Sequence, residues 1–293
     1  MQEIGCQGGS GTEAKKQQIE FPMTGRKYRS SIPESRRIVV KIGSRVIVQE
    51  SGRPDPEQIR QLVSSVAAAH RAGYEVVMVS SGAIAAGMEA LGLTERPKIV
   101  PDLQMCAAVG QGRLMSLYSD LFEKEKLLVG QLLLTHDDFR RKVNLTNLRC
   151  AMEHLLRAGV VPIVNENDVV ADEELRAHMS FGDNDQLASL VTRQLRADLL
   201  VLLSSTDGLR DMRPEGDGQR IPYVESISRE IRRMVTPPEK GLSKGGMDSK
   251  LVAAKDCTRA GCTVIIANGR QPEVLTDILR GEDVGTLFLA SPI

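Results

Sequence analysis

The sequence predicts an α/β fold built on a largely parallel sheet with helices on both faces. Short apolar runs rich in Val, Ile and Leu recur along the chain, and most are followed by a longer segment with apolar residues at helical spacing. Strands that alternate with helices of ten or more residues form right-handed βαβ units, whose strands are buried on both sides. Between residue 37 and residue 293 we find neither an internal repeat nor an interdomain linker. We therefore expect one domain over residues 37–293.

The elements of the first half follow from these runs. Strands are predicted at residues 38–42, 76–80, 127–134 and 160–164. A helix follows Pro56, a good helix-starting residue, and has apolar residues at positions 59, 62, 63 and 66. Further helices are predicted directly after SGAIAAG and over residues 103–123 and 145–157.

The second half of the chain also alternates predicted strands with predicted helices, whereas the N-terminal residues show no such alternation. Strands are predicted at residues 199–204, 263–267 and 286–289, and helices at 186–195, near 226–235, at 247–260 and just before the last strand. Residues 205–225 are rich in turn formers and predict a surface hairpin or loop. Residues 1–36 are rich in Gly, Gln, Ser, Lys and Arg without sustained periodicity, which predicts a disordered N-terminal extension.

Composition excludes several classes of function. The 38 basic and 38 acidic residues balance, so no global field attracts nucleic acid or an anionic membrane. Five Phe, four Tyr and no Trp also disfavour a surface on which bases stack. Five scattered cysteines without a CxxC pair are poor material for disulfides or a zinc site, which favours a reducing, cytoplasmic environment. Any anion-binding site must therefore be local.

Two polar clusters are the most informative motifs. NEND, at residues 165–168, follows the buried run VVPIV, and GDND, at residues 182–185, precedes a predicted helix. Open α/β sheets build their sites at the carboxyl ends of strands. A third segment, GLSKGGMDSK at residues 241–250, adds flexible backbone and lysines. Together these motifs predict a small amino or carboxyl substrate facing a phosphate donor.

The common nucleotide motifs are absent, since the chain has neither a Walker P-loop nor a GxGxxG that follows a strand. Instead Lys41, Gly43 and Ser81 lie at predicted strand ends, and Gly246 precedes a helix containing Lys250. Glycine allows backbone N–H groups to approach an oxyanion, and lysines supply mobile charges. Each motif alone has a structural alternative: an exposed edge lysine, a helix cap, a turn or a solvated charge. Apolar neighbours on both sides of Lys41 favour a central strand and a functional lysine.

These residues resemble the glutamate 5-kinases of the amino acid kinase family. The segments that carry the resemblance occur in the family's order between residues 38 and 289: VVKIGSRV, VSSGAIAAGMEALGL, AAVGQGRLM, VGQLLLT, NLR, VPIVNENDVV, FGDNDQLASLV, GGMDSKLVAA and GTLF. The resemblance implies a three-layer αβα sandwich. It also implies ATP-dependent phosphorylation of the L-glutamate γ-carboxylate, the first step of proline biosynthesis.

The resemblance also implies roles for individual residues. Lys41, Asp185 and Lys250 are the catalytic set, with Asp185 organising the two lysines, and Ser81, Asp168 and Asn184 bind glutamate. ATP contacts are implied for Lys41, Gly43, Ser204, Ser205, Lys244, Gly245, Gly246, Met247, Asp248, Ser249 and Lys250. Two positions depart from the family pattern: Ser205 stands where Asp is usual, although Asp207 is nearby, and Lys244 replaces a small residue. Both departures concern nucleotide preference.

Partners and alternatives follow from the same resemblance. It implies ATP with Mg²⁺ bridging the phosphates, a homo-oligomer (dimer or tetramer), and feedback by proline through the loop at residues 169–181. It also implies the single-domain form without a C-terminal PUA domain, and a glutamyl-phosphate reductase that takes up an unstable acyl phosphate. Two alternatives stay open: an amino acid kinase acting on a different acid, and a nucleotide-binding regulator without turnover.

Overall fold

The computed structural model describes residues 26–170, 184–212, 218–234 and 246–291. Over these residues one sheet has the strand order β3-β4-β2-β1-β5-β7-β8-β6. The strands are β1 (Arg37–Ile42), β2 (Glu75–Val79), β3 (Val129–Leu134), β4 (Val161–Glu166), β5 (Leu199–Ser204), β6 (Tyr223–Val224), β7 (Thr263–Asn268) and β8 (Thr286–Phe288).

The sheet is largely parallel, as predicted. Strands β3, β4, β2, β1, β5 and β7, which follow one another in the sheet, all run in one direction. Strand β8 is antiparallel to β7, and β6 is parallel to β8. Strand β1 lies between β2 and β5, and Lys41 is in register with Val79 on one side and Leu202 on the other. The prediction that Lys41 belongs to a central strand is therefore confirmed.

Helices cover both faces of this sheet. The α-helices are α1 (Arg26–Arg29), α2 (Pro56–Arg71), α3 (Ala83–Ala90), α4 (Val100–Lys124), α5 (Lys142–Arg157), α6 (Asn184–Leu195), α7 (Arg229–Arg233), α8 (Met247–Arg259) and α9 (Val274–Leu279). Successive side chains of β1 point to opposite faces. Ile38, Val40 and Ile42 join a core with α2, α4 and α9, whereas Val39 joins a second core with α5, α6 and α8. This arrangement is the three-layer αβα sandwich.

Local sequence explains where the first long helix begins. The Asp55 carboxylate accepts a hydrogen bond from the Gln58 backbone N–H, and Pro56 occupies the first helical position. A capping carboxylate accepts a hydrogen bond from an N–H group that has no partner within the helix. Proline is favoured at the first helical position because the N–H group that it lacks would have no partner there. Ser228 caps α7 in the same way through its hydroxyl. None of the helices over the described ranges is long and apolar enough to cross a membrane.

The N-terminal boundary differs from the prediction. Residues 26–36 contain α1 and a 3₁₀ turn (Ile32–Glu34), so the expected disordered extension is wrong for this part, while residues 1–25 lie outside the described ranges. Arg29 is fully buried and donates hydrogen bonds to backbone carbonyls of Pro222, Val284 and Gly285 at 2.7–3.0 Å. These partners are distant in sequence, so no local pattern around Arg29 indicated them.

The segment at residues 205–225 also differs in part. An antiparallel bridge joins Arg210 to Arg220, in keeping with the expected hairpin or loop. The segment then runs into β6, a two-residue strand that pairs with β8. So short a strand has no periodicity that sequence could reveal.

Candidate active site

The candidate site is a cavity of about 340 Å³ at the carboxyl ends of the central strands. Its walls come from the ends of β1, β2, β4 and β5 and from the first turns of α3, α6 and α8. Ten of the residues that sequence singled out line it: Lys41, Gly43, Ser81, Asp168, Asn184, Ser204, Ser205, Gly246, Met247 and Lys250.

Beneath one wall a single carboxylate joins two lysines. The Lys41 Nζ lies 2.5 Å from Asp185 Oδ1, and the Lys250 Nζ lies 3.0 Å from Asp185 Oδ2. The Ser249 hydroxyl donates to the same Oδ2 at 3.0 Å. Asp185 is fully buried, while Lys41 and Lys250 keep 5% and 6% of their surface exposed. One carboxylate thus orients two ammonium groups at the cavity wall, and positioned cations of this kind suit a polyanionic ligand.

An amide network lies beside this charged group, because Asn184 directly precedes Asp185 in the first turn of α6. The Asn184 side-chain N–H groups donate to Asn165 Oδ1 at 2.8 Å, to Ser81 Oγ at 3.2 Å and to the Ser80 carbonyl. Asn165 Oδ1 also accepts from the Glu166 backbone N–H at 3.0 Å. The first residue of α6 therefore joins the ends of β2 and β4, which brings Ser81 and the NEND segment to one place.

Two glycines shape the loops after β1 and β2. Gly43 donates its N–H to the Leu203 carbonyl at 3.0 Å, and a Cβ at this position would lie 3.0 Å from the same oxygen. Gly82 has φ of +91° and precedes α3, a conformation that favours glycine. Residues 83–85, in the first turn of α3, also line the cavity. Because first-turn N–H groups lack intrahelical partners, this turn can receive a carboxylate or a phosphate oxygen.

The last residue of β5 and the two residues after it form a hydroxyl-rich part of the cavity wall. Ser204, Ser205 and Thr206 line the cavity in succession. Asp207, which sequence offered as a nearby acid in place of the usual Asp at position 205, makes a 2.8 Å ion pair with Arg210 and does not line the cavity. It therefore does not take the place of the missing carboxylate.

Asp248 and Ser249 are the implied ATP residues of the described ranges that do not line the cavity, and two further ones lie outside those ranges. Asp248 is exposed and lies outside the lining. Ser249 also lies outside it and instead hydrogen-bonds Asp185 and the Gly246 carbonyl. Lys244 and Gly245 lie outside the described residues, as does the loop at residues 169–181 beyond Val170.

Sequence reasoning missed several lining residues. Asn165 and Glu166 belong to NEND itself, so the motif already contained the signal. Arg96 and Thr206 also line the cavity but belong to no motif that sequence reasoning singled out, and Arg45 lies in VVKIGSRV without having been given a role. Only the tertiary structure brings these residues to the strand ends that form the cavity.

Comparison with known proteins agrees with this geometry. Residues 36–268 match the amino acid kinase family. The chain is 41% identical over 263 residues to the glutamate 5-kinase of Trichlorobacter lovleyi, covering 89% of this chain and 69% of that protein. It is 43% identical over 256 residues to the glutamate 5-kinase of Syntrophus aciditrophicus, covering 87% and 65% respectively. The chain thus spans between 65% and 69% of the length of these two relatives.

Similarity to solved structures extends to the fold. The carbamate kinase from Giardia lamblia bound to AMP-PNP superposes with a TM-score of 0.60 at 18% identity. The match covers 88% of this chain and 100% of that chain. The central sheet and its helical layers therefore occur in a solved structure with little sequence identity.

Proposed function

This chain belongs to the amino acid kinase family, and we propose that it transfers the γ-phosphoryl group of ATP to the γ-carboxylate of L-glutamate, forming L-glutamyl 5-phosphate. Relatives at 41–43% identity that carry the name glutamate 5-kinase support the choice of substrate. The observation that carries the proposal is the buried set of Lys41, Asp185 and Lys250, which lies beside the amide network of Asn184 in one cavity. The reaction is the first step of proline biosynthesis.

For phosphoryl transfer to a carboxylate, the protein mainly has to align the two substrates and neutralise their negative charge. A carboxylate is already a nucleophile at neutral pH, so no general base is needed, and none of the described lining residues is a histidine. In phosphoryl transfer the negative charge spreads over the oxygens of the transferred group, and positioned cations stabilise it.

The two lysines supply these cations. In the proposal Lys41 contacts the donor phosphates and Lys250 the transferring group, while Asp185 holds both ammonium groups in place. A unit charge at ~4 Å contributes about 4 kcal/mol at an effective dielectric of 20. Because Asp185 is buried and bonded to both lysines, the ammonium groups need little reorganisation when the phosphates arrive.

In the proposal the acceptor binds beside the amide network. Asp168 pairs with the substrate ammonium, and Ser81 and Asn184 contact the amino acid beside the first turn of α3. Support comes from the Asn184 amide, which joins Ser81 to Asn165 and so holds the two loops together. In this arrangement the γ-carboxylate points toward Lys250.

ATP enters with Mg²⁺ in this proposal. The implied contacts at Gly43, Ser204, Ser205, Gly246 and Met247 line the cavity. Among the described residues no group of three or more His, Cys, Asp or Glu side chains could hold a metal ion. Mg²⁺ usually keeps several waters and binds through substrate phosphates, so we propose that it arrives as the MgATP complex.

We also propose that the protein forms a homo-oligomer in the cytoplasm. Apolar side chains are exposed around the edge strand β3: Leu128, directly before the strand, at 71%, and Val143, in the first turn of the following helix α5, at 70%. An edge strand without a further strand partner among the described residues, together with exposed apolar groups, supports a homo-oligomer, dimer or tetramer. Four cysteines in the described ranges are free thiols, in keeping with a reducing cytoplasm.

An unstable acyl phosphate favours a glutamyl-phosphate reductase as partner, and we retain proline as the candidate feedback inhibitor.

The test is an ATP- and Mg²⁺-dependent hydroxamate assay with L-glutamate, aspartate and N-acetylglutamate, each with and without proline. We expect hydroxamate from L-glutamate alone and less of it in the presence of proline. Product from another acid would keep the phosphoryl chemistry and overturn the substrate. ATP binding without any product would instead support the regulator.

A further inference from the structure

Helix α4 carries three polar side chains on one face: Gln104, Gln111 and Tyr118. Their spacing of seven residues is nearly two turns of an α-helix, so the three side chains point the same way along about 21 Å of helix. Gln111 and Tyr118 are buried, with 8% and 0% of their surface exposed. Burying an amide or a hydroxyl without a hydrogen-bond partner is costly, so buried side chains such as Gln111 and Tyr118 are expected to be hydrogen-bonded.

The two glutamines hold the backbone of the NEND segment and of Val169, the residue after it. Gln104 Nε2 donates to the Val169 carbonyl at 3.0 Å, and Gln111 Nε2 donates to the Glu166 carbonyl at 3.3 Å. These carbonyls lie on either side of Asp168 in the sequence. Gln131, on β3, donates to Gln111 Oε1 at 3.3 Å and thereby orients the Gln111 amide with its N–H groups toward Glu166.

The tyrosine holds the loop after β2. The Tyr118 hydroxyl lies 2.9 Å from Ser80 Oγ, and both groups are buried. Burial raises the pKa of Tyr118 to about 12, so its hydroxyl stays protonated near neutral pH. Ser80 is adjacent to Ser81, and its carbonyl accepts from the Asn184 amide. The hydroxyl pair therefore lies directly behind the proposed acceptor site.

Close helix packing fixes α4 against the same loop. A Cβ at Gly110 would lie 1.7 Å from the Ala83 carbonyl, and a Cβ at Gly87 would lie 1.8 Å from the Cys106 carbonyl. Helices α3 and α4 therefore touch backbone to backbone at the start of α3. Little freedom is left between α4 and the segment that contains Ser81.

We infer that Gln104, Gln111 and Tyr118, the polar face of α4, set the position of Asp168 relative to Ser81 and thereby the affinity for the acceptor amino acid. None of the three lines the cavity, so they are positioning residues and not catalytic ones. The inference rests on the proposed function, because Asp168 and Ser81 bind the acceptor in that proposal. Asp185, on α6, orients both Lys41 and Lys250, so we expect nucleotide affinity to change little when this face of α4 is altered.

The kinetic test uses Gln111→Leu and Tyr118→Phe, which remove hydrogen-bonding groups while keeping most of the side-chain volume. We expect the KM for L-glutamate to rise about 5- to 30-fold, with kcat within about three-fold and the KM for ATP within about two-fold of the wild type. Matched controls are Gln61→Leu, whose amide bonds Glu57 on its own helix, and Tyr74→Phe, whose hydroxyl bonds the Pro33 carbonyl. Both controls should leave all three constants unchanged.

A second measurement does not depend on turnover. Amide hydrogen exchange should become faster in residues 80–85 and 165–170 of the two variants, but not in residues 199–204 of β5. An inactive wild type would defeat the proposed function, and the exchange data would still test the positioning role. Unchanged exchange in both loops, or a KM for ATP that rises as much as the KM for L-glutamate, would overturn the inference.

Discussion

Lys41 and Asp185 form a 2.5 Å ion pair that is almost closed to solvent, between the centre of the sheet and the first turn of α6. Strand β1 fixes the lysine backbone, and Lys250 occupies the other oxygen of the carboxylate at 3.0 Å. Removing the charge of Asp185 would leave two nearly buried ammonium groups without their counter-charge. Loss of one partner from a buried pair is far more costly than loss of an exposed pair.

Asp185→Asn should therefore lower the free energy of unfolding by about 3–5 kcal/mol, as measured by urea denaturation. Asp256→Asn, on the partly exposed side of α8, is the matched control and should change it by less than about 0.5 kcal/mol. If Asp185→Asn costs less than about 1 kcal/mol, the carboxylate does not hold the two lysines in the way proposed.

Lys250→Ala should lower kcat by roughly 10³-fold or more, because a cation at the transferring phosphoryl group is lost. Steady-state kinetics with saturating L-glutamate and ATP measure this effect. Lys255→Ala, on the same helix but outside the cavity lining, controls for loss of a helix charge. A ten-fold loss or less for Lys250→Ala would remove this lysine from the mechanism.

Asp168→Ala should mainly raise the KM for L-glutamate, since the carboxylate pairs with the substrate ammonium in the ground state as well as in the transition state. The control is Asp137→Ala, an exposed carboxylate that pairs with Arg140. The assignment fails if the KM stays unchanged while kcat collapses.

Gly110→Ala should lower the free energy of unfolding by about 3 kcal/mol or more, because its Cβ would overlap the Ala83 carbonyl at 1.7 Å. Gly112 lies on the same helix, and a Cβ there meets nothing within 4 Å. Gly112→Ala should raise stability by up to about 1 kcal/mol through helix propensity alone. Equal effects of the two substitutions in thermal or urea unfolding would contradict the close α3–α4 contact.

Stability should depend on pH through Glu153. Its hydrogen bond and ion pair with Arg37, with O–N distances of 2.8–3.0 Å, lower the pKa of this carboxyl below its usual 4.5. A lowered folded-state pKa adds stability above pH 4.5 that is lost as the pH falls through the folded value. Glu153→Gln should therefore cost about 1–2 kcal/mol at pH 7, with the difference from wild type shrinking below pH 4.5. A difference that is constant between pH 7 and pH 3 would exclude this linkage.

Much of the fold could be predicted because its signals are local. The apolar run at residues 38–42 favours a central strand, and the structure extends it by only one residue to Arg37. Helix α4 begins at Val100, three residues earlier than its apolar periodicity indicates, because Pro101 near the start favours helix entry without adding to the pattern. Arg29 escaped prediction for the opposite reason, since its partners at residues 222 and 282–285 come from the far end of the chain.

By itself the sequence determined the fold class, the order of the longer helices and strands and ten of the residues that line the cavity. These depend on periodicity and on short motifs, which a single chain displays in order. Only the tertiary structure decided that Asp185 divides its two oxygens between Lys41 and Lys250, and that α4 reaches the loops around Asp168 and Ser81. Such contacts join segments far apart along the chain, and their geometry is set by how the layers pack and not by any local pattern.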